Sequence, residues 1–279
     1  MAQNIYDDPD FFAKYAQLPR SMHGLDVAYE WPVFRGLLPD LADTHVLDLG
    51  CGTGGLARRL REMGAARVEG VDISEKMLAK ARSLTDDTAI TYRRGDLETI
   101  DAANGSFDLI VSSLAFHYVE RFEDLCRGVA SALRPGGAFV FSIEHPMTTA
   151  RVEQDWCVDP DGIRRHWPVD TYKNEGPRQT NWLGSPVIKY HRTVAGYVNA
   201  VLAAGLDLVQ LAEPVPDAAF IEVHPRLADE VRRPPFLLLK ARKRSGMDLD
   251  QYALATTSED YREAIRAFLE KREPKFTGR

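Results

Sequence analysis

The chain has 279 residues, 44% hydrophobic and 27% charged, which is ordinary globular composition and allows one large domain or two small ones. Thirty-five Lys and Arg against 41 Asp and Glu leave a formal net charge of −6 with no basic block, which argues against a nucleic-acid surface. No run reaches the roughly 18 apolar residues of a membrane helix, the start MAQNIYDDPD carries acids where a secretory signal carries bases, and three scattered cysteines (Cys51, Cys126, Cys157) suggest a reducing compartment, so the cytoplasm is the expected location.

In chain order, an N-terminal segment of residues 1–43 is expected to be partly helical, around DPDFFAKYAQL and HGLDVAYEWPVFRGLLPDL. From His45 apolar strand-like runs alternate with helical patterns. The strands are HVLDL, RVEGVD, AITYRR, FDLIVSS and AFVFSIE. Between them GLARRLREMG, SEKMLAKARSL and FEDLCRGVASALRPGG place apolar residues at helical spacing. This alternation predicts βαβ units and a doubly wound, mostly parallel α/β sheet with helices on both faces. The strand-to-helix loops then gather at one sheet edge, where ligands bind.

After the fifth strand the alternation stops. Residues 145–190 hold three of the four tryptophans (Trp156, Trp167, Trp182) without a clear period, and are expected to fold over that edge as a cap. Helix TVAGYVNAVLAAG, strand LDLVQLAE, an irregular segment and strand FLLLKARK follow, the last two strands forming an antiparallel edge and bringing the sheet to seven strands. The main domain is therefore expected over residues 44–244, with a helical tail over 245–279. In that tail Ser258 can cap a helix running to Lys271, with Asp260 three after Thr257 in an approximate capping arrangement. Tyr261, Ala264, Ile265, Phe268 and Leu269 form its apolar stripe.

The turn after the first strand carries the sharpest signal. Gly50, Gly52 and Gly55 spell G-x-G-x-x-G, the dinucleotide fingerprint; with Asp48 in front, Gly50, Gly52 and Gly54 spell D-x-G-x-G-x-G. Either way glycines let backbone N–H groups approach a ligand at a helix start. Asp72 ends the second strand at the spacing of a ribose-binding acid and fits both readings. Asp48 separates them, because a carboxylate there is a poor neighbour for a pyrophosphate and suits a ligand with a cationic amino-acid end. RRGDLETI, which puts Asp96 beside Leu97 after the third strand, and the LRPGG turn point the same way.

At these residues the sequence resembles the class I S-adenosylmethionine (SAM)-dependent methyltransferases, in particular the broad bacterial type 11 group. The resemblance is strong over residues 44 to 145 and weaker to about 243. It implies SAM as cofactor. Gly50, Cys51 and Gly52 would pass over its methionine part; Asp72, with Ile73 beside it, would hold the ribose; Met77 would pack on adenine; Asp96 and the Leu97 N–H would meet the adenine edge. The fourth-strand end, SSLAFHYV with Ser112, would lie under the reacting methyl, and Arg20 could pair with the SAM carboxylate. Plain structural roles compete at each position: Asp48 as a turn cap, Asp72 as a helix N-cap, Met77 as core, Arg20 as a surface charge. Cys51 reads as a small turn residue, not a nucleophile.

For the acceptor side, His117 and His145 are the candidate catalytic residues, with Glu144 next to His145 and with Tyr172, Tyr190 and His191 in reach from the insertion. The histidines and Asp159 lack metal-ligand spacing, so no metal is expected. The expected partner is a small-molecule methyl acceptor, with no nucleic acid and no membrane, and a homodimer is open. An NAD(P)-dependent oxidoreductase and a non-catalytic SAM-binding module are the competing readings. The tail ATTSEDYREAIRAFLEKREPKFTGR resembles the C-terminal end of the enoyl-CoA hydratase (crotonase) family, but the crotonase body is absent and no hydratase activity is expected from it.

Overall fold

The computed structural model describes residues 3–99, 102–245 and 258–277. Residues up to Lys243 form one compact unit and those from Arg244 another. The first unit is built on a seven-stranded sheet of β1 (His45–Leu49), β2 (Arg67–Asp72), β3 (Ile90–Arg94), β4 (Phe107–Ser113), β5 (Leu133–Glu144), β10 (Leu206–Ala212) and β11 (Phe236–Lys243). Their spatial order is β10-β11-β5-β4-β1-β2-β3. The first five strands pair in parallel, while β11 runs antiparallel to β5 and β10 antiparallel to β11. This is the doubly wound arrangement expected from the alternation.

Strand periodicity divides the core between the two sheet faces. Leu47 and Leu49 of β1 share one buried cluster with Ile110, Phe139, Phe141 and Ile143. Val46, Leu109, Val111 and Val140, one residue out of phase, belong to a second cluster. Helices α6 (Phe122–Ala132) and α8 (Val194–Ala203) cover the first face with Leu125, Val129, Tyr197 and Val201. The second face is covered by α3 (Trp31–Leu37) and α4 (Gly55–Glu62) through Phe34, Leu37, Leu56 and Leu60. Burying such a side chain is worth about 1.5–3 kcal/mol as an upper estimate, so both stripes hold the helices firmly.

The LRPGG segment differs from the expected turn before the strand. Leu133 already pairs with Phe107, and Ala138 pairs with Leu109, so the residues between them form a bulge inside a longer β5. Gly136 has φ +81°, and a Cβ on Gly137 would come within 2.9 Å of the Arg134 carbonyl oxygen, which explains the glycine pair.

The N-terminal segment is partly helical. Asp8 caps α1 (Pro9–Ala16) by accepting from Phe11 N at 2.8 Å, and α2 (Pro19–His23) follows. Between β5 and α8, α7 (Pro146–Thr149) leads to a small ribbon of β6 (Cys157–Val158) and β7 (Arg164–His166). A hairpin of β8 (Gly176–Trp182) and β9 (Ser185–His191) comes next. Leu183 and Gly184 turn it with φ +54° and +80°, two left-handed residues as a tight two-residue hairpin loop requires. Between β10 and β11 the chain forms α9 (Ala218–Val223) and a 3-10 turn, Pro225–Arg232.

The second unit contains α10 (Glu259–Leu269), capped by Ser258 Oγ, which accepts from Tyr261 N at 3.1 Å. Tyr261, Ile265, Phe268 and Leu269 are exposed. Thr257, the other residue of the expected cap, lies outside the described residues.

Candidate functional site

The carboxyl ends of the parallel strands open into a cleft of about 1230 Å3 of empty space, mouth included. One half is bordered by the loops after β1, β2 and β3: Gly50, Gly52, Asp72, Ile73, Met77, Asp96 and Leu97 all line it. The other half is bordered by the last residues of β4 and β5, Ser113 and Glu144, and by His117 and Tyr118 after β4. Tyr6, Tyr15 and Arg20 of the N-terminal segment and Trp182 of the hairpin also line it. Lys14 Nζ donates to Leu183 O at 3.0 Å and Ile188 N to Gln3 Oε1 at 2.8 Å, so the N-terminal segment and the hairpin are stitched together.

The glycine turn is fixed from below. Gly50 N and Cys51 N both donate to Val71 O, at 2.8 and 3.0 Å. Gly50, Gly52 and Gly54 have φ +76°, +53° and +74°, a backbone path only glycine follows without strain. Asp72 joins this turn to the next helix: its Oδ2 accepts from Gly52 N at 2.8 Å and its Oδ1 from Ser74 N at 2.9 Å. Burial raises the Asp72 carboxyl above its ordinary value, although those two N–H groups oppose the shift. The N-cap of α5 (Glu75–Ser83) is Ser74, which accepts from Met77 N at 3.1 Å, so Asp72 is not the plain cap.

Asp48 and Cys51 stand behind the lining. Asp48 is buried and its Oδ2 has no hydrogen-bond partner. Burial, with the charge of Asp72 adding, pushes its carboxyl up to about 8. Burial also pushes the Cys51 thiol well above its ordinary value, which makes it inert as a nucleophile. Met77 is both core and lining.

Three expected residues sit differently. Ser112 is fully buried with an unpartnered Oγ and does not border the cleft; strand alternation gives that place to Ser113. Arg20 borders the cleft with its guanidinium committed, pairing with Glu30 and donating to Ser113 Oγ at 2.7 Å. His145 lies outside. Its Nδ1 accepts from Met147 N at 3.1 Å to cap α7, and its Nε2 meets Glu213 Oε1 at 2.7 Å. Pro146 starts a helix directly after β5, so the ring turns back to cap it. We therefore expect His145→Ala to lower stability by about 1 kcal/mol, as loss of a cap does, with cofactor affinity unchanged in calorimetry.

His117 does border the cleft. It is buried, and its Nδ1 accepts from Glu144 N at 3.4 Å, which leaves the proton on Nε2. Burial, with Lys189 adding and Glu144 opposing, lowers it to about 4. It is neutral at neutral pH and its acceptor nitrogen is in use, so it offers a donor rather than a base. Glu144 faces the same space. Both of its oxygens accept from Lys189 Nζ, at 2.7 and 2.8 Å, and that amine also donates to Gln154 Oε1 at 2.9 Å. Burial alone would raise the Glu144 carboxyl; the charge of His117, present only when that ring is protonated, and the charge and hydrogen bonds of Lys189 act against burial and hold it below its ordinary value. With His117 neutral, Lys189 is the cation that keeps it ionised.

Rings crowd this half. Tyr6 stands edge-on to Tyr15, Tyr118 and Trp182, with centroids 5.2, 6.3 and 6.4 Å away. Of the other insertion tryptophans, Trp156 packs at 5.4 Å against Trp167, which lies 3.7 Å from the Arg233 guanidinium, and neither borders the cleft. Tyr172 and His191 serve the insertion itself: Tyr172 OH accepts from Val194 N, and His191 bonds Thr149 Oγ1 and Tyr172 O. Among the described residues no group of three or more His, Cys, Asp or Glu is placed to hold a metal ion, and no helix is long and apolar enough to cross a membrane.

Comparison with known proteins bears on this geometry. A family model described as a methyltransferase domain matches residues 46–137. A solved S-adenosylmethionine-dependent methyltransferase from Mesorhizobium loti is 48% identical with a TM-score of 0.75, covering 79% of this chain and 100% of that one. An uncharacterised protein of Haemophilus influenzae is 36% identical over 247 residues, 86% of this chain and 97% of its own length. A malonyl-[acyl-carrier protein] O-methyltransferase of Enterobacter lignolyticus is 35% identical over 119 residues, 43% of this chain and 46% of that protein.

Proposed function

The chain belongs to the S-adenosylmethionine-dependent methyltransferases, and from that premise we propose that it methylates a small molecule admitted to the ring-lined half of its cleft. The observation that carries this reading is the continuity of one cleft from the glycine turn to Glu144, with the N-terminal segment and the hairpin on its walls. Such a concave, ring-rich space suits a small ligand.

The residues around the turn fit the cofactor. Gly52 borders the cleft, and a Cβ there would meet nothing within 4 Å, so the bare backbone leaves room for a ligand against the turn. Asp72 and Asp48 lie nearby, and Asp48, whose buried Oδ2 has no partner, favours a cationic ligand end that would draw off its proton over a pyrophosphate. In this reading Asp72 holds the ribose, Ile73, Met77 and Leu97 bracket the adenine, Asp96 accepts from its amino group, and Gly50 to Gly52 pass along the methionine part. Arg20 would have to share its guanidinium between Glu30 and the cofactor carboxylate. Bound there, SAM supplies an electrophilic methyl on a sulfonium, open to in-line displacement. The chain contributes position and dryness: Tyr6, Tyr15, Tyr118 and Trp182 displace water, and His117 offers a neutral N–H.

The test is to incubate the enzyme and methyl-labelled SAM with a cell extract separated by size. Label is expected in the small-molecule fraction; label on a carrier protein would move the acceptor to a carrier-linked group. Asp72→Ala removes a buried charged acceptor and should cost about 1.5–3 kcal/mol of SAM binding, roughly ten- to 150-fold in Kd by calorimetry. A folded variant with parental affinity would overturn the ribose assignment.

A further inference from the structure

The acceptor half of the cleft has a definite charge character. Of the ionisable residues lining the whole cleft, Asp72, Asp96, Glu98 and Glu144 are acids, and the cation Arg20 is paired with Glu30. In the acceptor half the acid is Glu144. Its partner Lys189 stands behind it: the Glu144 side chain is 22% exposed and that of Lys189 4%. Lys189 is the middle inward residue of β9, between buried Val187 and His191, so the hairpin delivers a buried amine to the back of a cleft-facing carboxylate. Rings of Tyr6, Tyr15, Tyr118 and Trp182 and neutral His117 surround it, the Lys189 ammonium standing 5.9 Å from the Trp182 centroid, and Gln3 and Ser21 also line the cleft. Ring faces and a carboxylate attract cations; neither receives an anion.

We infer that the methyl acceptor is a small amine, received as its ammonium ion by the Glu144 carboxylate inside this ring cluster, with Lys189 as the positioning residue. The inference rests on the methyltransferase reading and specifies its substrate class. A free carboxylate or a phosphate would meet the Glu144 oxygens, whose remaining lone pairs face the cleft with Lys189 behind them, and the one cation among the described lining residues, Arg20, is shared between Glu30 and Ser113. The step balances simply. The ammonium gives one proton to solvent through the mouth of the cleft. The freed nitrogen lone pair forms the new N–C bond as the methyl C–S bond breaks, and that electron pair stays on sulfur. The products are the methylammonium ion and S-adenosylhomocysteine, with one proton released overall. Glu144 accepts N–H bonds and orients the nitrogen; as a Lys-paired carboxylate it is no proton acceptor.

The test uses the full chain saturated with S-adenosylhomocysteine and titrated in a calorimeter with phenethylamine and with 3-phenylpropionate. The amine is expected to bind at least tenfold more tightly. Glu144→Gln should remove at least tenfold of the amine affinity and change S-adenosylhomocysteine affinity less than threefold. Should the lone lysine unfold that variant, Glu144→Gln combined with Lys189→Met carries the same expectation. Lys189→Met should weaken amine binding and Lys189→Arg restore it, a rescue that a merely structural lysine would not show in the ligand affinity of folded protein. With methyl-labelled SAM and extract, the labelled product should be retained by a cation exchanger and be stable to alkali, which decides the matter if neither probe binds. Equal binding of the two probes, or label in an alkali-labile ester or a neutral ether, overturns the amine assignment while the methyltransferase stands. Failure to bind SAM or S-adenosylhomocysteine overturns both.

Discussion

Gly50→Ala should cost both stability and cofactor affinity. Gly50 has φ +76°, and a Cβ there would lie 2.4 Å from Ala115 Cβ. A left-handed alanine costs about 1–2 kcal/mol in backbone strain, and a contact that close adds an overpacking cost of about 1–3 kcal/mol. The obstacle yields poorly, because Leu114 beside it is already left-handed at φ +56° and its N–H is held by Ser142 O at 2.9 Å. The melting temperature should therefore fall by roughly 5–15 °C, taking about 2–4 °C per kcal/mol at this size. SAM affinity should fall at least about tenfold, an energy of about 1.4 kcal/mol, since Gly50 and Ala115 both line the cleft. Gly52→Ala separates the two effects. Its Cβ would stand in open cleft, so only backbone strain reaches the fold while the methyl intrudes on the ligand. Melting curves and calorimetry on both variants check this; Gly50→Ala with parental melting and binding would show that the turn tolerates a side chain.

The glycine-turn half of the cleft is legible in the sequence because its signals are local. Asp48, the three glycines, Asp72 and Asp96 lie at or just past the ends of strands, and apolar periodicity marks where those strands stop. The same glycines also spell the dinucleotide fingerprint, and Asp48 separated the two. The acceptor half is far less legible, because it is assembled from distant segments: Tyr6 and Tyr15 near the start, His117 and Tyr118 after β4, Glu144 at the end of β5, and Lys189 and Trp182 in the insertion. The hairpin that carries Lys189 lacks the Asn-Gly or Asp-Gly turn that would announce it, since a leucine occupies the first left-handed position. A signal was nonetheless present: Val187, Lys189 and His191 alternate inward, and a lysine in phase with a buried valine asks for an acid. His145 failed as a candidate for a different reason. Adjacency to a strand end puts a residue at the ligand edge, but the proline after it starts a helix that claims the ring as its cap.

Asp48 should make the stability of the free enzyme fall as pH rises, the reverse of an ordinary paired carboxylate. Its folded value of about 8 lies above the 3.8 of an unperturbed aspartate, chiefly through burial and then through the charge of Asp72, with the Ala57 N–H opposing. The neutral form is thus favoured by folding. Its contribution is complete below the unfolded value and is lost as pH climbs from about 4 to about 8. At 1.36 kcal/mol per pH unit that difference amounts to about 6 kcal/mol at most. Asp48→Asn keeps the shape and removes the titration, so above pH 8 it should be the more stable protein, and below pH 4 the two should match; denaturant midpoints across that range read this directly. A cationic ligand near the carboxylate favours its ionised form, so SAM binding should expel a proton from the wild type near neutral pH. Calorimetry in two buffers of different ionisation enthalpy should then show proton release that is larger in the wild type than in Asp48→Asn, and SAM affinity should climb more steeply from pH 6 to 8 in the wild type. Equal proton release from the two proteins would mean that Asp48 stays neutral beneath the bound cofactor and serves the turn alone.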